Sequence, residues 1–188
     1  MKMILYHGTD KKFNIGDILN PKSNWVNGKE EREKVGTVFA TPSFDWAEYF
    51  AVRLLYSHGM NKICGTEGVF SIVSSDKNSE PFSVAKDRKY YVYRVKADGF
   101  RLSNPDKRGN IQEHVSESPV EILEIARVGT LAEWLDRGNK IYVVPDSIMN
   151  AAWPQKKSFV EILPHAVPYL DWSGGVKNLC NAKIGGRD

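Results

Sequence analysis

Apolar positions along the chain fall mostly into short runs punctuated by glycine, proline and asparagine, and one stretch keeps a clear helical period. Met3–Tyr6 reads as a strand ending at His7-Gly8-Thr9, with Gly8 letting a ligand or another chain segment approach the backbone. Residues 14–35 hold Gly16, Asn20-Pro21, Asn27-Gly28 and the charged run Lys29–Lys34. This is turn chemistry without periodicity and predicts a long loop, of the kind that in compact domains tends to be functional. Val38–Ala40 predicts a second short strand. Thr41-Pro42-Ser43 then predicts a helix start, with Thr41 as N-cap and Pro42 at the first helical position, where its missing N–H is no loss. Phe44, Ala47, Ala51, Leu54 and Leu55 keep one helix face, and Gly59 ends it. Tyr90–Val95, Val120–Ile125 and Ile141–Val144 alternate as strands, and Leu131–Asp136 reads as a short helix closed by Gly138. Prolines and glycines break residues 150–188 too often to predict elements there.

The chain has 188 residues, enough for one domain with its own core and short for two. The expectation is a single domain over 1–188, with 130–188 an unassigned C-terminal extension packed on it. At 41% hydrophobic and 26% charged residues, the composition is that of a soluble globular protein and excludes a disordered one. A net charge of +3 suits an anionic ligand and falls short of a nucleic-acid-binding footprint. Cys64 and Cys180 share no metal-type spacing and fit a reducing cytosol; His58, His114 and His165 lack paired spacing, so no metal is expected. The first residues hold too few apolar positions for a signal peptide, and no run approaches a membrane span. A cytoplasmic protein without membrane contact is the expectation. There is no G-x-G-x-x-G after a strand and no P-loop.

Three local signals carry chemistry. His7 at a strand end can hydrogen-bond a sugar hydroxyl, and the Gly8 backbone can pair with a carboxamide. Gly36-Thr37-Val38-Phe39-Ala40 is followed after six residues by Ala47-Glu48-Tyr49, which puts Tyr49 on a helix where its ring can stack on a flat ligand. Glu113, Glu117 and Glu121 cluster around a strand start, where a carboxylate can stabilise a cationic sugar. Each has a plain alternative: His7 as a packing residue, Tyr49 beside Phe50 as core, Phe39 and Ala40 as core, Glu121 and Glu124 as the solvent face of a strand, Lys29–Lys34 as a solvated loop.

Taken together, these residues resemble the ADP-ribosyltransferase superfamily in its histidine–tyrosine–glutamate branch. G-x-x-F-A-x6-A-x-Y resembles the poly(ADP-ribose) polymerase segment. The order His7-Gly8-Thr9, Ile15-Gly16-Asp17-Ile18, Asn20-Pro21, Ser23-Asn24, then a strand ending in Ala40-Thr41, resembles the small rifamycin-modifying ADP-ribosyltransferases. The likeness covers about residues 4–125. It implies an α+β fold with two small, mostly antiparallel sheets around an NAD-binding cleft, flanked by helices. NAD is the implied substrate. His7 would hold a ribose hydroxyl, Gly8 the amide, and Tyr49 would stack on nicotinamide. Thr9, Phe39, Ala40 and Ser43 would line the cofactor, Ser43 or Thr41 replacing a family serine that falls at Trp46. The family's first tyrosine falls at Val38. Glu117, Glu121 or Asp106 is the implied acid, depending on register, with Ser118 at the glutamate position in one of them. The implied activity is transfer of ADP-ribose to an acceptor of open class (small molecule, protein or nucleic acid). Alternatives are an NAD glycohydrolase and a catalytically silent NAD-, ADP-ribose- or protein-binding module.

Overall fold

A computed structural model describes residues 3–22, 36–56, 61–65, 68–74, 81–103, 113–145 and 163–171, with the backbone alone at 53–56, 61–65, 68–74 and 163. In chain order its elements are β1 (Leu5–Thr9), β2 (Ile18–Leu19), β3 (Val38–Ala40), α1 (Phe44–Tyr56), β4 (Asn61–Gly65), β5 (Gly68–Ser74), α2 (Phe82–Ala85), β6 (Lys89–Val95), β7 (Arg101–Leu102), β8 (His114–Ser116), β9 (Val120–Thr130), α3 (Leu131–Asp136), β10 (Lys140–Val144) and β11 (Val167–Pro168). The architecture is mixed α+β with largely antiparallel sheets. Among the described residues no helix is long and apolar enough to cross a membrane. The segments read from sequence around Asn27–Lys34, Gly59, Asp106 and Cys180 lie outside the described residues.

The chain divides into two compact units, residues 1–52 with 90–128, and residues 53–89 with 129–188. The residues after 130, expected as an extension, thus group with 53–89. In this second unit β11, β10, β5 and β4 form one sheet, in which β10 runs parallel to β5. Thr130 caps α3 with a reciprocal capping box to Glu133, and Gly138 follows the helix at φ 87°. Trp134 and Tyr169 are fully buried, and Phe82 packs edge-on to Tyr169.

The first unit holds two sheets, β1-β6-β9-β2 and β3-β8-β7. One antiparallel rung joins them: Tyr6 and Thr41 exchange backbone hydrogen bonds of 2.8 and 2.9 Å. Side chains alternate across a strand, so cross-strand partners share a face. From the register, Tyr93, His7, Ala40, His114 and Leu102 form one transverse row on one face. That face carries the core cluster of Leu5, Leu19, Val38, Ala40, Tyr93, Val95, Val120 and Ile122. The other face, with Tyr6, Gly8, Phe39 and Thr41, belongs to α1.

His7-Gly8-Thr9 forms the end of the first strand, as expected, since β6 pairs with it as far as Thr9–Tyr91. One expectation is corrected. Ser43, not Thr41, caps α1: its Oγ accepts from Trp46 N–H at 3.3 Å, and Phe44 opens the helix. Thr41 is held extended by its two bonds to Tyr6 and cannot also take the cap position.

Helix α1 is anchored by a buried polar cluster. The Tyr90 hydroxyl donates to Glu48 Oε1 at 2.7 Å, and Arg127 Nη1 stands 3.4 Å from the same oxygen while its guanidinium lies over the Phe44 ring. The helix comes closest at Gly8. A Cβ built there would stand 1.8 Å from the Ala47 carbonyl oxygen and 3.0 Å from Ala51 N, both rigid backbone atoms. Gly8→Ala is therefore expected to lower the unfolding free energy by at least ~2 kcal/mol, because neither strand nor helix can yield without losing its own hydrogen bonds. Urea denaturation tests this; a variant within about 0.5 kcal/mol of wild type, the range of an indifferent substitution, would mean the strand–helix contact is loose.

Candidate functional site

The outer edge of β3 serves two partners. In an antiparallel strand the N–H and C=O of one residue point to the same side, and the side alternates. Thr41 uses that edge for Tyr6, and Thr37 uses it for Lys22, with Thr37 N–H donating to Lys22 O at 2.9 Å and Lys22 N–H to Thr37 O at 3.4 Å. Phe39, midway between, points the same way. The continuing ladder with β1 would put Gly8 opposite it, and no Gly8–Phe39 rung forms. The His7 side chain takes the place instead, and its Nδ1 lies 2.7 Å from the Phe39 carbonyl oxygen. Gly8 N–H and C=O and Phe39 N–H all point into this opening.

The contact fixes the chemistry of His7. A carbonyl only accepts, so Nδ1 carries the hydrogen and donates, and in the neutral ring Nε2 is an acceptor. Burial of the ring pushes its pKa below the ordinary value of 6.5, the bond to Phe39 opposes this, and the nearby Lys22 charge adds to the lowering. By this register the unpaired stretch of edge holds a donor and an acceptor on Gly8, and the neutral His7 ring beside it carries an acceptor at Nε2. Such a set fits a primary carboxamide beside a hydroxyl. Ala47 and Ala51 of α1 cover the Gly8 face.

The other expected residues are placed differently. Thr9 is buried, and its Oγ1 accepts from Lys11 N–H at 3.2 Å. Ala40 is core, and Phe39 contributes its carbonyl. The Ser43 hydroxyl is engaged by the helix start. Tyr49 is 3% exposed and packs in a cluster with Trp46 and Phe50, centroids 5.2 and 5.9 Å away. Two residues along from Ala47, it lies on roughly the opposite side of the helix from the stripe that meets Gly8.

Glu117 does not begin a strand. It stands in the tight turn between β8 and β9, where Ser116 Oγ bonds both the N–H and the C=O of Ser118. Its carboxylate receives a 2.6 Å bond from Arg101 Nη2, and both side chains are about half-exposed. Arg101 pairs with Val115, and Val115 with Phe39, so Glu117 follows the α1 face and His7 the core face. Glu121 sits on β9 opposite Ile18. Glu113 uses its carbonyl to accept from Ser103 N–H. Asp106 lies outside the described residues. Among the described residues no three metal-ligating side chains come together. Sequence reasoning missed Lys22, the Tyr6–Thr41 rung and Arg101; none of them carries a local motif.

No protein-family model and no curated protein sequence matches this chain.

The His7 geometry has two consequences. The ¹⁵N shifts of the neutral His7 ring should identify Nδ1 as the protonated nitrogen, and the opposite tautomer would break the link to Phe39. Its titration should have a midpoint below 6.5. The unfolded chain then takes up the proton first as pH falls. His7 contributes no pH dependence above about pH 7. Stability is lost as pH falls from the ordinary histidine value through the lower folded value. Chemical denaturation between pH 7.5 and 5 should show this loss, reduced in His7→Gln.

Proposed function

We propose that this chain binds NAD⁺ in an ADP-ribosyltransferase-type arrangement and cleaves the bond between nicotinamide and its ribose. One observation carries the reading: the missing rung between β1 and β3, where Gly8 offers N–H and C=O together beside a neutral imidazole of fixed tautomer. A nicotinamide carboxamide needs one donor and one acceptor side by side, and the ribose hydroxyl donates to His7 Nε2. The motif resemblance of residues 4–125 points the same way.

Nicotinamide leaves as a neutral molecule, taking the electron pair of its bond to the ribose carbon. The sugar is left with oxocarbenium character until an acceptor oxygen or nitrogen attacks and gives up a proton. The leaving group is already cationic, so orientation and stabilisation of developing charge are the protein's main tasks. Glu117 is the carboxylate for this step, with Glu121 and Asp106 as the other acids in reach of the resemblance. With water as acceptor the same chemistry is a glycohydrolase reaction. The acceptor stays open among small molecules, proteins and nucleic acids.

A second reading has its own support. Glu117 is already paired with Arg101 and follows the face opposite His7, and Tyr49 is enclosed by Trp46 and Phe50. These placements favour a module that binds NAD⁺ or ADP-ribose without turning it over. Both readings require a saturable NAD⁺ site, seen as a ligand-dependent rise in Tm; no shift at millimolar NAD⁺ and no calorimetric heat remove both. Nicotinamide release separates them. For the enzyme, Glu117→Gln should slow release by roughly 10²–10³, the scale of one preorganised electrostatic group, at nearly unchanged NAD⁺ affinity. Loss instead in Glu121→Gln or Asp106→Asn moves the acid and keeps the mechanism. A binding wild type that releases no nicotinamide is the silent module.

A further inference from the structure

We propose that the outer edge of β9 is a self-association surface, on which a second copy of this chain adds its own β9 as an antiparallel strand. The inference stands apart from the NAD⁺ reading and uses none of the groups at the β1–β3 edge.

β9 is 11 residues long and lies between β6 and β2 in its sheet. β2 covers only the start of it, with Ile18 opposite Glu121 and Leu19 opposite Val120. The backbone bonds of Ile122 to Gly16 and Asp17 complete that contact. From Leu123 to Val128 the outer edge has no strand partner among the described residues. Unpaired N–H and C=O groups in a row are a template for another strand, and chains that stay apart guard such an edge with proline, lysine or a very short strand. Residues 123–128 hold no proline and no lysine. Their two charges are engaged inside the chain, Glu124 with Arg94 at 2.9 Å and Arg127 with Glu48 at 3.4 Å. The apolar side chains meet water instead: Leu123 is 40%, Ile125 39% and Val128 51% exposed. Ile18, also exposed, stands diagonally across from Leu123 and widens the apolar strip.

The occupant follows from the edge itself. A row of backbone groups calls for a strand, and an apolar strand whose charges are already neutralised is what a second copy supplies. A two-fold axis pairs residues whose side chains share a face, so the registers that keep this stretch together are centred on Ile125 or on Ala126. The first sets Ile125 against its own counterpart and Leu123 against Arg127. The second sets Ile125 against Arg127 and Glu124 against Val128. Neither puts a charge opposite its like.

The test is sedimentation equilibrium of wild type, Ile125→Lys and Val84→Lys, with amide hydrogen exchange of wild type followed over the same concentrations. Wild type should pass from one chain to two as concentration rises through the micromolar range, and a peptide covering Leu123–Val128 should gain protection in step. Ile125→Lys sets a lysine against a second lysine or against Arg127 and should weaken association about ten-fold or more. Its Tm should hold, since Ile125 is already exposed. Val84→Lys, at an exposed apolar residue of α2, should associate like wild type. A wild type that stays a single chain at every concentration overturns the inference and leaves the edge to a strand of another protein. A dimer that Ile125→Lys leaves intact also overturns it. So does a dimer in which exchange at Leu123–Val128 is independent of concentration, because the contact then lies elsewhere. The exchange readout needs wild type alone and decides the question even where Ile125→Lys fails to fold.

Discussion

Strand β3 is three residues long, and its outer edge must satisfy two neighbours that arrive from opposite ends. Tyr6 of β1 pairs with Thr41 on one side, and Lys22 pairs with Thr37 on the other. Backbone alternation leaves one residue between them, Phe39, facing the same way. A buried carbonyl left without a partner is costly, and the nearest donor is the His7 ring. That single substitution of a side chain for a backbone rung turns His7 inward, selects its tautomer and leaves the Gly8 peptide groups directed into the opening. The glycine is needed for a separate reason, since α1 lies against the same residue on its other face with no room for a Cβ. One residue thus meets a packing demand on a face and presents polar groups at an edge.

The electrostatics follow from this geometry. An imidazole taken out of water resists protonation, and the Lys22 charge adds to this in smaller measure. A neutral ring keeps an acceptor at Nε2, and acceptance is what a sugar hydroxyl requires. A protonated ring would offer only donors.

Much of the fold was legible from short-range pattern. The strands at Val38–Ala40, Tyr90–Val95 and Ile141–Val144, and the helix closed by Gly138, follow from apolar alternation and turn residues. The boundaries failed where tertiary hydrogen bonds decided them. Thr41 has cap chemistry, yet a rung to Tyr6 holds it extended and shifts the helix start to Ser43. His7-Gly8-Thr9 was read at a strand end, and pairing with β6 carries that end through to Thr9. Glu117 was placed at a strand start, but Ser116 folds the chain back on Ser118 first. The parallel pairing of β10 with β5 joins segments far apart in sequence, which no local period reports. Within the site, the close approach at Gly8 was legible, though not that α1 makes it. Lys22 was not legible at all, because its position depends on which residue of β3 it pairs with.

The carboxylate is where geometry and motif pull apart, and magnitudes decide how far. An exposed pair such as Arg101–Glu117 is worth at most about 1 kcal/mol, so parting from Arg101 costs little against the roughly 3–4 kcal/mol that one well-placed charge returns in a transition state. The pairing is therefore no obstacle to catalysis by Glu117. Strand alternation is the larger constraint. Val115 and Phe39 share the α1 face, Ala40 and His114 share the face of His7, and a turn residue following Val115's side starts on the wrong side of the sheet for a ribose held by His7. The Glu117 turn also follows β8, which pairs with the edge of β3 away from β1. The proposed binding calls only on the groups at the β1–β3 edge, whereas the proposed cleavage by Glu117 calls on a carboxylate from the other face, so strand alternation is the constraint that divides the two readings.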